Sequence, residues 1–262
     1  MASKTSDTSP ADPLDGLRAL LLELNLTTLA RELAAALGRA QAGHQGYSQF
    51  LQEALEVERA ARQSRKVQRR VRWSKLGPKV ALENFDWAAR PQLSPQVVKE
   101  LLTCRFIREK RNVILVGRPS TGKTTVARAI GHAACERGHS VYATTMQEML
   151  ETMYASRADG TYRKAFRRVS GCDLLIVDDA GFSSLEPRAT NELFRIVCAR
   201  YRQRSTLVVT NLPFKRWGEF IPSPAQAVAI ADRLIHDATI LRFGGKSFRN
   251  PRDIFGAPLD EE

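Results

Sequence analysis

One stretch decides the fold of this chain: Gly117-Arg118-Pro119-Ser120-Thr121-Gly122-Lys123-Thr124. It matches the pattern G-x-x-x-x-G-K-[ST], which builds a loop whose backbone N–H groups surround a polyphosphate. Residues 112–116 predict a buried strand before the loop, and residues 125–130 predict a helix after it, whose N-terminus attracts anions. A glycine turn that fits by chance is the competing interpretation. We predict a nucleoside triphosphate site at residues 117–125, including Thr125, with Lys123 reaching the outer phosphates and Thr124 ligating Mg²⁺.

Short apolar runs alternate with helical patterns on both sides of this loop. The predicted strands are residues 113–116, 141–145, 174–177, 207–210 and 240–243, and helices are predicted between them. Strands that alternate with helices form a parallel sheet covered on both faces. The sequence therefore predicts an α/β fold with a parallel five-stranded sheet between helices.

The residues before this pattern predict a small all-helical domain. Leu14, Leu17, Leu21 and Leu24 recur at helical spacing, Thr27 or Thr28 can cap a second helix, and Ser48 can cap a long third one. The predicted organisation is a disordered N-terminus at 1–12, a helical domain at 13–76, a linker at 77–98, an ATPase domain at 99–250 and a tail at 251–262.

Polar residues follow two further predicted strands. Asp178 and Asp179 end the apolar run from Leu174, and a carboxylate at that edge of a parallel sheet lies beside the phosphate loop. We predict that Asp178 holds Mg²⁺ and that Asp179 activates the attacking water; a helix N-cap is the alternative. Asn211 is predicted to bond the water or terminal phosphate, or else is a turn residue. Arg233 is predicted to act across a subunit interface, or else is half of a surface Asp–Arg pair.

The charge balance points to a polyanionic partner. The 262 residues hold 40 Lys and Arg against 28 Asp and Glu, a net charge of +12. No acid interrupts the basic residues between Arg59 and Lys79, and a second cluster, with Arg163, precedes Asp178. A solvated helix face is the alternative. The predicted DNA-binding residues are Arg62, Arg65, Lys66, Arg69, Arg70, Arg72, Lys75, Lys164, Arg167 and Arg168, with little base-specific readout.

Other classes of protein are disfavoured. The four cysteines form no C-x-x-C pair and stand among apolar neighbours, which indicates buried free thiols. No run is long and apolar enough for a membrane span, and the first residues have no apolar signal core. We expect a cytoplasmic protein without a membrane partner.

In combination, these motifs resemble a known family. The chain is similar to the IstB-type helper ATPases of bacterial insertion sequences, within the AAA+ class and close to DnaC-type helicase loaders. The resemblance extends from about Leu14 to Arg249. It rests on the N-terminal helices, residues 83–87, the phosphate loop, residues 174–181 and 210–214, Asp232-Arg233-Leu234, and residues 245–249.

The resemblance implies a transposition helper that binds duplex DNA with ATP, multimerises on it and delivers target DNA to a transposase. It makes Lys123, Thr124, Asp178 and Asp179 the two Walker motifs. Asn211 becomes the sensor, Arg233 the arginine finger, and Phe85 and Trp87 the residues that flank adenine. Ser120 stands where many relatives carry glycine. A C-terminal helical lid, common in AAA+ proteins, is expected to be missing.

Two other functions remain open at this point. A helicase-loading adaptor would grip a helicase through its N-terminal helices and contact single-stranded DNA. A nucleotide-gated clamp would bind DNA with negligible hydrolysis.

Overall fold

The computed structural model describes residues 12–83 and 85–245, and these divide into two compact units. The N-terminal unit is Met1–Gln68 and the C-terminal unit is Arg69–Glu262. Three helices begin in the N-terminal unit: α1 (Asp15–Glu23), α2 (Thr27–Ala42) and α3 (Tyr47–Ser74). The residues of α3 from Arg69 onward belong to the C-terminal unit.

The N-terminal unit has a small apolar core and one buried carboxylate. Leu21, Leu29, Leu33 and Ala54 pack together at its centre. Neither Thr27 nor Thr28 caps α2, so that prediction was wrong. The carboxylate of Glu58, which is 2% exposed, accepts the Thr28 and Leu29 N–H groups at 2.7 and 3.0 Å. Because α3 delivers this stronger acceptor to the free amides, the Thr28 hydroxyl is left to accept a bond from Arg65.

The C-terminal unit is built on one parallel sheet. Its strands are β1 (Val113–Gly117), β2 (Val141–Thr145), β3 (Leu174–Ala180), β4 (Ser205–Thr210) and β5 (Thr239–Phe243), in the order β2-β3-β4-β1-β5. Every pairing is parallel. Its further helices are α4 (Pro95–Leu102), α5 (Arg105–Arg108), α6 (Lys123–Glu136), α7 (Met146–Ala158), α8 (Tyr162–Gly171), α9 (Pro187–Arg200) and α10 (Pro224–Ile235), with a 3-10 helix at Phe214–Glu219. The predicted α/β fold and five strands are confirmed.

The side chains of successive strand residues pack on opposite faces of the sheet. Val113 and Leu115 join the core under α4 and α6, whereas Ile114 between them joins the core under α7, α9 and α10. Both faces of a strand are buried when helices cover both sides of the sheet, so the strands read as continuous apolar runs. This is why the central strands β1, β3 and β4 were visible in the sequence.

The predicted linker, residues 77–98, belongs to the C-terminal unit. Phe85 and Leu93 are buried in the core on the α6 side, and α4 already begins at Pro95. The chain thus passes close to the sheet before β1 begins.

Several predictions fall outside the described residues. They are the disordered start (1–11), Asn84 of the 83–87 motif, Lys246–Arg249 of the closing motif, the C-terminal tail, and the missing lid, which concerns residues beyond Gly245. Across 12–83 and 85–245, no helix is long and apolar enough to cross a membrane.

Candidate nucleotide-binding site

The phosphate loop joins the end of β1 to the start of α6. A side chain at Gly117 would meet the Phe243 carbonyl oxygen at 2.1 Å, so the neighbouring end of β5 admits only glycine there. Gly122 and Ser120 both have left-handed backbone, with φ of +94° and +61°. A glycine at position 120 would adopt this conformation without the Cβ strain that serine bears. This is the physical meaning of the Ser120 departure from the family pattern.

The Lys123 side chain folds back over the loop. Its Nζ donates to the carbonyl oxygens of Gly117 and Arg118, both at 2.6 Å. Burial lowers the pKa of this ammonium group to about 8, although the nearby Asp178 and Asp179 carboxylates act in the opposite direction. The cation is therefore held at the mouth of the loop, where a triphosphate would become its partner.

Two oxygen ligands meet beside the loop. The Thr124 hydroxyl hydrogen-bonds the Asp178 carboxylate, and burial raises the pKa of that carboxyl despite this bond. A hydroxyl and a carboxylate are the hard oxygen donors that Mg²⁺ prefers, so the pair fits this ion. Within 12–83 and 85–245, no three His, Cys, Asp or Glu residues cluster as a metal cage.

Asp179 and Asn211 reach the same edge of the sheet. Asp179 is exposed, has φ of +54°, and its N–H donates to the Asp178 Oδ1 at 2.9 Å. Asn211 is half-buried and follows β4, the strand between β1 and β3. Since carboxyl ends of parallel strands share one edge, both residues lie on the phosphate-loop side.

Arg233 lies at the opposite end of the strands, where β1 begins. Its carbonyl oxygen accepts the Asn112 Nδ2 at 3.3 Å, and Asn112 immediately precedes β1. The loop begins where β1 ends, about 16 Å further along the strand. The Arg233 guanidinium donates to the Ala229 carbonyl at 2.8 Å and lies 5.3 Å from the Phe194 ring centroid. The structure thus does not bring Arg233 into the site of its own chain.

Phe85 and Trp87, the two residues predicted to flank adenine, lie against each other. The Phe85 and Trp87 ring centroids are 4.7 Å apart. Arg90, which sequence reasoning missed, donates from Nε to the Thr121 carbonyl of the loop at 3.0 Å. No motif marks Arg90 in the sequence, because its partner is 31 residues further along the chain.

The predicted DNA-binding residues separate into two groups. Arg62 and Arg65 of the N-terminal unit both donate to the Glu58 Oε1, at 3.1 and 2.9 Å. Their guanidinium groups therefore stabilise the helical unit. Arg70 is half-buried. Arg65 is exposed although it is paired with Glu58, and the other exposed members are Lys66, Arg69, Arg72, Lys75, Lys164, Arg167 and Arg168.

Contacts within the C-terminal unit join the two sequence clusters. Arg168 of α8 donates to the Trp73 carbonyl of α3 at 3.3 Å and lies 4.5 Å from the Tyr142 ring centroid. Lys75 lies 5.7 Å from the same ring. We call this region the basic surface and define it as Arg69, Arg72, Lys75, Lys164, Arg167 and Arg168. Trp73, which is 65% exposed, stands within it.

Comparisons with known proteins agree with the site. The family model for IstB-like ATP binding protein matches residues 19–253. The insertion sequence IS5376 ATP-binding protein of Geobacillus stearothermophilus is 31% identical over 226 residues, covering 86% of this chain and 90% of that protein. The insertion sequence IS21 ATP-binding protein of Pseudomonas aeruginosa is 30% identical over 233 residues, covering 89% and 88%.

Two solved structures are similar in fold to about two thirds of this chain. AMPPCP-bound DnaA from Aquifex aeolicus has a TM-score of 0.54 at 24% identity, covering 64% of this chain and 51% of that one. DnaI has a TM-score of 0.55 at 15% identity, covering 64% and 92%. At these identities the likeness shows the fold alone.

Proposed function

The chain belongs to the family of IstB-like ATP-binding proteins of insertion sequences, and we propose that it is a Mg²⁺-dependent ATPase that multimerises on duplex DNA and delivers or remodels target DNA for a transposase. ATP binding follows from the family. Hydrolysis, DNA binding, self-assembly and the transposase partner are the proposed parts.

The observation that carries the proposal is the set of polar groups at one edge of the sheet. Lys123 would neutralise charge on the outer phosphates, while Thr124 and Asp178 would hold Mg²⁺. The bound ion would supply further charge neutralisation on the phosphates. Asp179, which is exposed and separate from the Thr124–Asp178 pair, would take the proton of the water that attacks the γ-phosphorus. Asn211 would bond that water or the departing phosphate.

The proposed DNA contact is the basic surface. Five of its six cations lie on α3 and α8, Lys75 directly follows α3, and no acid takes part in the contacts that join the two helices. Like charges held this close repel one another, and DNA phosphates would relieve that repulsion. Arg62 and Arg65 are weaker candidates for DNA contact because Glu58 already neutralises them.

We test the surface with two triple variants of equal charge change. Arg69→Ala, Arg72→Ala and Arg167→Ala together remove half of the basic surface. Lys99→Ala, Arg188→Ala and Lys215→Ala remove three exposed cations elsewhere on the C-terminal unit. With ATP present, the first variant should bind duplex DNA more weakly than wild type. The slope of log affinity against log salt concentration should also become shallower by about 2–3, because each lost phosphate contact reduces it by about 0.9.

The control variant should keep the wild-type slope. Equal losses in both variants would show that net charge matters and that the basic surface does not. The same titration on single-stranded DNA decides between functions. Stronger ATP-dependent binding to duplex supports the transposition helper, whereas a preference for single strands favours the helicase-loading adaptor.

A further inference from the structure

Arg90 is a buried cation whose partners include backbone carbonyl groups from three segments. It is 1% exposed. Its Nε donates to Thr121 of the phosphate loop at 3.0 Å, and its Nη1 donates to Ala89 at 2.9 Å and Gly244 at 3.4 Å. One guanidinium thus ties residues 85–93, the loop and the chain after β5 together.

The segment after β5 closes tightly on this guanidinium. A side chain at Gly245 would meet the Ala89 carbonyl oxygen at 2.2 Å and the Arg90 Nη1 at 2.9 Å. The planar fork of an arginine can donate in several fixed directions at once, which the single ammonium of a lysine cannot do. The packing leaves Arg90 little freedom, and its contact with the loop is correspondingly fixed.

The bond to Thr121 controls the next amide of the loop. The peptide bond between Thr121 and Gly122 is trans, so its C=O and N–H point in opposite directions. With the carbonyl directed at Arg90, the Gly122 N–H is directed away from Arg90. A charged donor on the carbonyl also polarises the peptide and makes that N–H a stronger donor.

We propose that Arg90 is a positioning residue of the nucleotide site, which orients the Gly122 amide toward the phosphates and holds the Phe85–Trp87 pair in register with the loop. The proposal rests on ATP binding and is independent of hydrolysis and DNA binding. Arg90 acts through backbone groups and touches no reacting atom.

Arg200 provides a matched control. It is also 1% exposed, and its guanidinium donates to the carbonyl groups of Val169, Cys172 and Ser205. These contacts lie at the start of β4, away from the phosphate loop. Arg200→Ala therefore also empties a buried, carbonyl-lined cavity, and it does so without touching the loop.

The experiment compares the ATP dissociation constants of Arg90→Ala and Arg200→Ala at a temperature where both are folded by thermal denaturation. We expect Arg90→Ala to bind a fluorescent ATP analogue about tenfold more weakly or worse, the factor for a lost charged hydrogen bond. Inorganic triphosphate should lose competing power by a similar factor. The ATP dissociation constant of Arg200→Ala should stay within about twofold of the wild-type value, because Arg200 lies away from the groups that bind the phosphates.

Millimolar guanidinium should restore ATP affinity to Arg90→Ala, and it should leave wild type and Arg200→Ala unchanged. If an alanine variant does not fold, Arg90→Lys is compared with Arg200→Lys in the same assay. A folded Arg90 variant with wild-type affinity, or equal losses in the Arg90 and Arg200 variants, overturns the proposal. If wild type failed to bind ATP, the family function would be overturned instead. Loss of DNA binding alone would contradict neither the role of Arg90 nor ATP binding.

Discussion

The Lys123 ammonium group should make ATP binding depend on pH. Its pKa of about 8 lies below the ordinary value of 10.5 because the group is buried, and the phosphates of ATP would raise it again. Above about pH 8 the free protein has lost this proton, whereas the phosphates would keep it on the complex to higher pH. ATP binding should therefore take up a proton in that window, and the affinity should fall as the pH rises through it.

Calorimetry at pH 9 in two buffers of different ionisation heat measures this uptake. Lys123→Arg is the control, because a guanidinium stays charged throughout the window and should bind ATP without taking up the proton. Equal uptake by wild type and Lys123→Arg would assign the proton to another group.

Asp179 should be replaceable without loss of ATP binding. Its left-handed backbone, at φ +54°, is tolerated by asparagine and strained for alanine, so Asp179→Asn isolates the lost base. We expect the rate of ATP hydrolysis to fall at least about 100-fold, the usual effect of a lost general base. ATP affinity should remain within about twofold. Hydrolysis by the variant at the wild-type rate would favour a different base.

The residues of the phosphate loop and of the apolar run that ends at Asp178 could be predicted, because their spacing in the chain alone sets their geometry. Lys123 and Thr124 follow the loop directly, and Asp178 ends an apolar strand, so spacing was sufficient. Glu58 and Arg90 could not be predicted in the same way. Each bonds groups about thirty residues away, and only the folded backbone brings them together.

The start of α2 depends on Glu58 of α3. Burial alone would raise the pKa of this carboxyl, but the amides of Leu29 and Thr28 and the Arg62 and Arg65 guanidinium groups outweigh it and lower the pKa. Its contribution to stability is therefore complete above the unfolded value near 4.5 and is lost as the pH falls through the lower folded value. Glu58→Gln should destabilise the N-terminal unit by about 1–3 kcal/mol at neutral pH.

Hydrogen exchange of the whole chain checks this expectation. In Glu58→Gln the amides of α2 should exchange faster and the acid-dependent loss of protection should disappear. Glu56→Gln, an exposed neighbour on the same helix, should leave α2 unchanged. Unchanged protection in Glu58→Gln would mean that the Leu29 and Leu33 core holds the helix without its cap.

The helices and strands were predictable to different degrees. The central strands β1, β3 and β4 have long buried apolar runs, whereas the outer strand β5 alternates buried and exposed residues, and all five were found. Residues 77–98 were predicted to be a linker because their Gly-Pro and Pro residues obscure any period. The structure shows Phe85 and Leu93 within the core instead, where single apolar residues pack without forming a regular element.

At the scale of the molecule, folding unites features that are far apart in the sequence. The basic residues before Lys79 and those near Arg168 were separate clusters in the sequence, and the Arg168–Trp73 contact makes them one surface. Arg233 was predicted to act across a subunit interface, and the structure separates it from the phosphate loop of its own chain by the length of β1. A residue at that edge can serve a nucleotide only if the nucleotide belongs to another copy.

This separation leads to a prediction about assembly. Arg233→Ala should bind ATP normally and hydrolyse it poorly, because its own loop is intact and the neutralising arginine is lost from the next site. Lys123→Ala should lose phosphate binding but still offer its Arg233. Mixing the two variants on duplex DNA should therefore restore part of the ATPase activity, from sites that combine an intact loop with a neighbour's arginine.

The control is Arg233→Ala mixed with the double variant Lys123→Ala, Arg233→Ala, which has no arginine to offer and should restore nothing. Because Arg233 also contacts Phe194 and Tyr201, the melting temperature of each variant is measured first. Restoration in the first mixture alone supports a site completed by a second copy. Equal activity in both mixtures, with all variants folded, would remove Arg233 from the mechanism and leave it as a packing residue between α9 and α10.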